Sequence, residues 1–329
     1  MEYVRLGRSG LPVSRLCLGT MTFGLQCDED VSRSILDHAI ESGITFIDTA
    51  DAYPLGGDLS TVGRTEEILG RALAGRRPDV VLATKCFMPM GPHPWDAGMS
   101  AKHILSAVDA SLRRLQTDYL DLYQLHFDDR LTPLDETLRA LDDVVRAGKA
   151  RYVGVSNWMA WRLALAVGRS ELARLSPVTS VQPRYNLLYR ANERDLFPLC
   201  QQVGIGVIPY NPLAGGLLTG KHERRQQVTE GRFNLGSAGA LYRDRYWHDR
   251  EFDTVDALRP LAADAGVTVA HLAVGWVLAQ PAVTAPIVGA SRPEQLDDAL
   301  TAVDEPLDPA LLAGLDELTA DWRRSDAER

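Results

Sequence analysis

The stretch PLDETLRALDDVVRAGKARYVGVSNWMAWRLALAVGR, residues 133–169, carries the fold in miniature. Pro133–Ala147 reads as an amphipathic helix, and Gly148 closes it, as a glycine just past a helix end does. Ala150–Val155 is a short, β-branched apolar run and reads as a strand. Trp158–Arg169 returns to helical spacing.

The same alternation extends in both directions. Further strands are expected at Arg15–Gly19, Ile44–Asp48, Val80–Thr84, Tyr119–Leu125, Val178–Gln182, Ile205–Pro209 and Thr284–Val288. Further helices are expected around Val31–Ser42, Thr65–Leu73, Ala101–Leu115, Glu193–Val203, Thr254–Ala265, Ala270–Ala279, Pro293–Ala302 and Pro309–Leu318. Thr65 is the expected N-cap of its helix, ahead of Glu66 and Glu67. Eight strands separated by helices imply a parallel sheet with helical crossovers. The strands are apolar on nearly every residue, as strands covered on both faces are. The expected fold is therefore α/β, a single-domain (β/α)8 TIM barrel over residues 1–329, with a C-terminal helix. An open doubly wound sheet would need G-x-G-x-x-G after its first strand. The chain has GTMTFG there, Gly19–Gly24. Ala214–Phe252, after the seventh strand, is polar and glycine-bearing and reads as a long loop, a segment type that often forms a lid.

Of 329 residues, 45% are hydrophobic and 24% charged, an ordinary globular composition that rules out disorder as the main state. The net charge of −9 is the wrong sign for a general binder of nucleic acid or anionic membrane. The cysteines Cys17, Cys27, Cys86 and Cys200 form no CxxC, which argues for buried free thiols rather than disulfides or a metal site. No secretory signal and no membrane span is read, so a cytoplasmic protein is expected. Nothing fixes the oligomeric state, and a homo-oligomer stays open.

In a barrel, polar residues at the C-terminal strand ends read as catalytic. The second strand ends at Asp48, the third at Lys85 and the fourth at His126, and Tyr53 follows Asp48 in the next loop. A phenol is too weak an acid at neutral pH to donate efficiently, and an adjacent ammonium lowers its pKa. The ammonium in turn needs a carboxylate partner. Asp48, Lys85 and Tyr53 thus read as a proton relay, with His126 placed to orient a substrate oxygen or to assist proton transfer. A positioned acid without a nucleophile fits hydride transfer to a carbonyl, the hydride coming from a cofactor.

These residues sit in FIDTADAY (Phe46–Tyr53), ATK (Ala83–Lys85) and DYLDLYQLH, ending at His126, with GTMTFG before them and GRTEEILGRAL (Gly63–Leu73) between. GKARYVGVSN (Gly148–Asn157), VQPRYNLL (Val181–Leu188), PYNPLAGGLLTGK (Pro209–Lys221) and PIVGASRPEQL (Pro286–Leu296) follow in order. Together they resemble the aldo-keto reductase family over nearly the whole chain. The resemblance implies the catalytic tetrad Asp48, Tyr53, Lys85 and His126, and NADP(H) held across the barrel rim without a Rossmann fold. It puts the nicotinamide carboxamide on Ser156, Asn157 and Gln182 and the ring against Tyr210. The pyrophosphate falls along Asn211, Pro212, Leu213, Gly215, Leu217, Gly220 and Lys221, and Gly19, Thr20, Met21 and Asp48 are further cofactor-binding residues. Gly289, Ser291, Arg292, Gln295 and Asp298 take the adenosine end, Arg292 facing a 2′-phosphate. Two positions depart from the family's pattern: Ala299 replaces an adenine-contacting Asn, and Asn211 stands where many members carry Ser.

Met21, Phe23, Tyr53, Phe87, Met88, Met90, Trp95 and Phe127, with Phe233, Tyr242, Tyr246 and Trp247 from the long loop, are the expected substrate lining. They suit an apolar or aromatic aldehyde or ketone, and sugar-like carbonyls also fit the family. Tyr242–Glu251 is the segment expected to close over the site. The leading reading is a carbonyl reductase acting on a small molecule. The alternatives are a cofactor-binding regulatory or channel-associated subunit, and an isomerase or aldolase using Lys85 as a Schiff-base lysine.

Overall fold

The computed structural model describes residues 1–225, 228 and 231–328, the side chains of 237 and 325–328 excepted. A hairpin opens the chain, β1 (Tyr3–Arg5) against β2 (Pro12–Ser14). Eight parallel strands follow in unbroken sequence order. They are β3 (Cys17–Gly19), β4 (Phe46–Asp48), β5 (Val81–Cys86), β6 (Leu120–Leu125), β7 (Ala150–Ser156), β8 (Val178–Gln182), β9 (Gly206–Val207) and β10 (Ile287–Gly289). β10 pairs with β3. Parallel bridges Val207↔Val283 and Tyr210↔Ile287 join the remaining two edges, so the sheet closes on itself.

The helices form the outer layer. They are α1 (Glu29–Glu41), α2 (Arg64–Ala72), α3 (Ala101–Leu115), α4 (Leu134–Arg146), α5 (Ala160–Ala173), α6 (Leu196–Val203), α7 (Gly236–Tyr246), α8 (Asp249–Asp264), α9 (Val269–Leu278), α10 (Asp297–Asp304) and α11 (Pro309–Leu318). α4 shows why: Leu134, Leu138, Leu141 and Val144 fall on one stripe, and all four are buried. α3 begins where Ser100 Oγ accepts from the His103 N–H and stops at Gln116, which turns left-handed.

Two cores result. One lies between strands and helices. The other fills the barrel, with Cys17, Phe46, Ala83, Leu122, Ile208, Ala285 and Ile287 pointing inward above Leu6 and Val13 of the hairpin. The hairpin, which the sequence reading did not foresee, thus plugs the N-terminal end of the barrel. Ser14 Oγ fixes it there by accepting from Thr45 N and Phe46 N.

Three expectations are corrected. Thr65 does not cap α2: Gly63 occupies that position at φ 87°, and Thr65 lies inside the helix, donating to Phe23 O at 2.7 Å. Glu193–Val203 and Pro293–Ala302 are not single helices; each starts with a 3-10 turn (Ala191–Glu193, Pro293–Leu296) before α6 and α10. Ala214–Phe252 is not one loop. It holds 3-10 turns at Ala214–Thr219 and Arg232–Asn234, then α7 and the start of α8; residues 226, 227, 229 and 230 lie outside the described ones. Tyr242 Oη and Arg232 both donate to Asn211 Oδ1, which ties this segment to the barrel mouth. All four cysteines are free and buried. Among the described residues no single helix is long and apolar enough to cross a membrane.

Candidate active site

A cavity of about 650 Å³ opens at the C-terminal ends of the strands. Asp48 ends β4, Lys85 lies inside β5 just before its end, and His126 directly follows β6. Lys85 is fully buried and donates to Asp48 Oδ2 at 2.6 Å, Thr49 O at 2.7 Å and Tyr53 Oη at 3.2 Å. All three ammonium donors are therefore used. The other oxygen of Asp48 accepts from Gln124 Nε2 and Gln182 Nε2, each at 2.9 Å. The Tyr53 and His126 rings meet edge to face, 5.8 Å between centroids.

Burial opposes the charge on Lys85, but the Asp48 carboxylate and the Tyr53 oxygen outweigh it, and the ammonium is held above its usual pKa. Burial pushes the Tyr53 phenol up, and Lys85 pulls it only part of the way back. The expected net lowering is thus reversed: Lys85 acts in the anticipated direction, and desolvation wins. Tyr53 is partly exposed and lines the cavity. Because Lys85 donates to Oη, the phenol's own proton is free to point into the cavity. Burial, and secondarily Lys85, hold His126 well below the usual imidazole range, so the ring is neutral. Its Nδ1 is buried and unpartnered among the described residues.

Next to the tetrad, Tyr210 Oη donates to Asn157 Oδ1 at 2.8 Å. Asn157 Nδ2 donates to His126 O and Ser156 Oγ, both at 3.0 Å, and Ser156 Oγ donates to Gln182 O. Gly19, Thr20, Met21, Ser156, Asn157, Gln182, Tyr210, Asn211, Pro212, Leu213, Gly215, Lys221, Gly289, Ser291, Arg292, Gln295 and Asp298 line the same cavity as Asp48, Tyr53 and His126. Leu217 and Gly220 do not. Leu217 is buried in the core, and Gly220 closes the 3-10 turn at φ 73°.

Of the expected substrate lining, Met21, Tyr53, Met88, Phe127 and Tyr242 are on the wall, joined by Leu55 and Leu241. Phe23, Phe87, Met90, Trp95, Phe233, Tyr246 and Trp247 are not. Phe23, Phe233 and Tyr246 are core residues, Trp247 packs among His222, Phe233 and Phe252, and Trp95 stacks on His93 in an outer loop. Gln124, Gln26, Arg232 and Arg245 escaped the sequence reading. Gln124 alone left a signal, an amide two residues before His126 in an otherwise apolar strand end.

The family model described as aldo/keto reductase family matches residues 15–320. The chain belongs to the aldo/keto reductase family. This aldo/keto reductase is 40% identical over 326 residues to "Uncharacterized oxidoreductase YrpG" of Bacillus subtilis (strain 168), covering 97% of this chain and 96% of that protein. It is 39% identical over 309 residues, 92% of each chain, to "Probable voltage-gated potassium channel subunit beta" of Arabidopsis thaliana. It is 35% identical over 343 residues, 96% of each chain, to "Versiconal hemiacetal acetate reductase" of Aspergillus parasiticus.

Proposed function

We propose that this aldo/keto reductase reduces an aldehyde or ketone with NADPH, and that Tyr53 is the general acid. The observation that carries the reading is the Tyr53 hydroxyl, fixed by Lys85 at 3.2 Å beside a neutral imidazole in the cavity wall. The site also fits a polyanionic cofactor. Lys221, Arg232, Arg245 and Arg292 line the cavity against the carboxylates Asp48 and Asp298. Gln26 Nε2 and Asn211 Nδ2, both on lining residues, are buried donors with no partner among the described residues. Bound NADPH supplies the hydride. Tyr53 donates the proton that turns the carbonyl oxygen into a hydroxyl, Lys85 stabilises the phenolate left behind, and Asp48 keeps Lys85 charged in its dry setting. His126, neutral, donates one N–H to the same oxygen. Met21, Leu55, Met88, Phe127 and Leu241 give the substrate an apolar wall.

Arg292 facing the cavity favours NADPH over NADH, because a charge-assisted contact to a 2′-phosphate is worth about 1.5–3 kcal/mol, roughly 10- to 150-fold. Titration with both cofactors checks this: Arg292→Ala is expected to erase the preference, and equal affinities in the unmodified protein would remove the assignment.

The relative named as a potassium channel subunit favours a second reading, in which the chain binds cofactor and serves as a regulatory or channel-associated subunit with little turnover. Purified protein is mixed with NADPH and a panel of aromatic, aliphatic and sugar-derived aldehydes. The reductase reading requires alcohol formed in step with NADPH lost. Tight NADPH binding without turnover on any of them favours the subunit.

A further inference from the structure

Asp48 divides its two oxygens between two tasks. Oδ2 takes the Lys85 ammonium, and Oδ1 takes two carboxamides, from Gln124 on β6 and Gln182 at the end of β8. All three side chains are buried, Gln124 completely. A carboxylate can only accept, so both amides must present N–H to it, which fixes their orientation. Gln124 Oε1 then accepts the second Nε2 proton of Gln182 at 3.2 Å. Both N–H groups of Gln182 are thereby turned inward, and Oε1 is the one polar atom its side chain has left for a ligand in the cavity it lines.

We infer that Gln124 is a positioning residue, which locks the Gln182 amide so that an acceptor faces the nicotinamide carboxamide while it anchors the tetrad carboxylate. The inference rests on the cofactor reading above. Without Gln124, Gln182 Nε2 keeps Asp48 Oδ1 as its one acceptor in this cluster, and the amide is held by one hydrogen bond instead of two. Asp48 Oδ1 also keeps a single donor. The group recognised is the N–H of the cofactor's carboxamide, a contact that a ketone in the same place cannot make.

The test compares, by calorimetry, the affinities of NADP+ and its acetylpyridine analogue, which keeps the carbonyl but carries a methyl in place of the amide nitrogen. The unmodified protein is expected to prefer NADP+. Gln124→Met, similar in length but without hydrogen bonds, is expected to narrow that preference about five-fold, the worth of one hydrogen bond, with the loss on the NADP+ side. A Gln124 that only packs would lower both affinities together and leave the ratio unchanged, which overturns the inference. A protein that binds neither nucleotide overturns both this inference and the cofactor reading.

Gln124→Glu covers the case in which the Met variant does not fold. A carboxylic acid there donates its O–H to Asp48 and accepts from Gln182, so the preference survives while the introduced carboxyl keeps its proton. The charged group in contact with that position is Asp48 on β4, whose other oxygen holds Lys85 of β5; Lys85 in turn holds Tyr53, and the Cys17 thiol of β3 interacts with Asp48 and Lys85. Two carboxyls this close share a proton. The preference is therefore expected to fall as pH rises, and a ratio like that of the unmodified protein at every pH contradicts the assignment.

Discussion

Asp51 is fully buried close to the tetrad, and neither of its carboxyl oxygens makes a well-formed hydrogen bond. Burial first, and nearby Glu66 second, push its pKa well above the usual carboxyl range. The folded state therefore keeps this proton to a higher pH than the unfolded chain does. Stability is lost as pH rises from the ordinary carboxyl pKa through the raised one, at about 1.4 kcal/mol per pH unit for a single group. Asp51→Asn removes that loss. Chemical denaturation at several pH values should show the variant more stable than the unmodified protein at neutral pH, and the advantage should vanish in acid. A constant difference across pH would contradict the buried, protonated carboxyl. Asp51 also marks how far single residues were legible. Asp48, Tyr53, Lys85 and His126 stood out because each is polar at or just past an apolar strand. Asp51 sits in the same FIDTADAY run, and only the folded surroundings distinguish it from a loop carboxylate. The rise in the Tyr53 pKa was hidden for the same reason, since the ammonium beside it was visible in the sequence and the desolvation was not.

Elements add effects that propensity alone gets backwards. Gly70 lies inside α2, where alanine is normally favoured by about 1 kcal/mol. Here a Cβ would press into the Arg114 carbonyl oxygen and lie 2.9 Å from the Leu115 carbonyl carbon, both backbone atoms that cannot turn aside. Gly70→Ala is expected to destabilise by about 1–3 kcal/mol, as overpacking does, and a raised melting temperature would contradict the close α2–α3 approach. The C-terminal helix depends on one buried guanidinium. Arg190 donates to both oxygens of Glu193, to Asp316 Oδ1 and O, and to Thr319 Oγ1, with its charge 4.7 Å from the Trp276 ring centre. Arg190→Met takes the guanidinium from two carboxylates that keep other partners, Tyr185 and Arg323 on Glu193 and Trp276 on Asp316, so the expected cost is about 3 kcal/mol, the low end for a broken buried pair. Hydrogen exchange should quicken first in α11, and uniform quickening would argue against a local docking role. Most strands and helices were legible, because periodicity reports which faces are buried. Tyr3–Arg5 and Pro12–Ser14 were missed because two three-residue strands carry too little pattern. Ala214–Phe252 read as a loop because α7 has no apolar stripe, and its attachment to Asn211 is a tertiary contact.

For the whole molecule, barrel closure brings residues far apart in sequence to one mouth, as in the pairing of Gln182 with Asp48. The hairpin seals the other end, and a chain of net charge −9 gathers four basic side chains around its cavity. Under the proposed function the jobs are separate: the cavity binds the cofactor, and one hydroxyl completes the reaction. Tyr53→Phe separates the two, because it deletes that hydroxyl and keeps the ring. The most direct measurement follows the loss of nicotinamide absorbance in a single turnover of the NADPH complex with a reducible aldehyde, alongside an NADPH titration of each protein. The account predicts near-unchanged NADPH affinity and a rate lower by about 10²- to 10⁴-fold, the contribution of a positioned acid. A Tyr53→Phe protein that reduces the aldehyde at the rate of the unmodified one would contradict it.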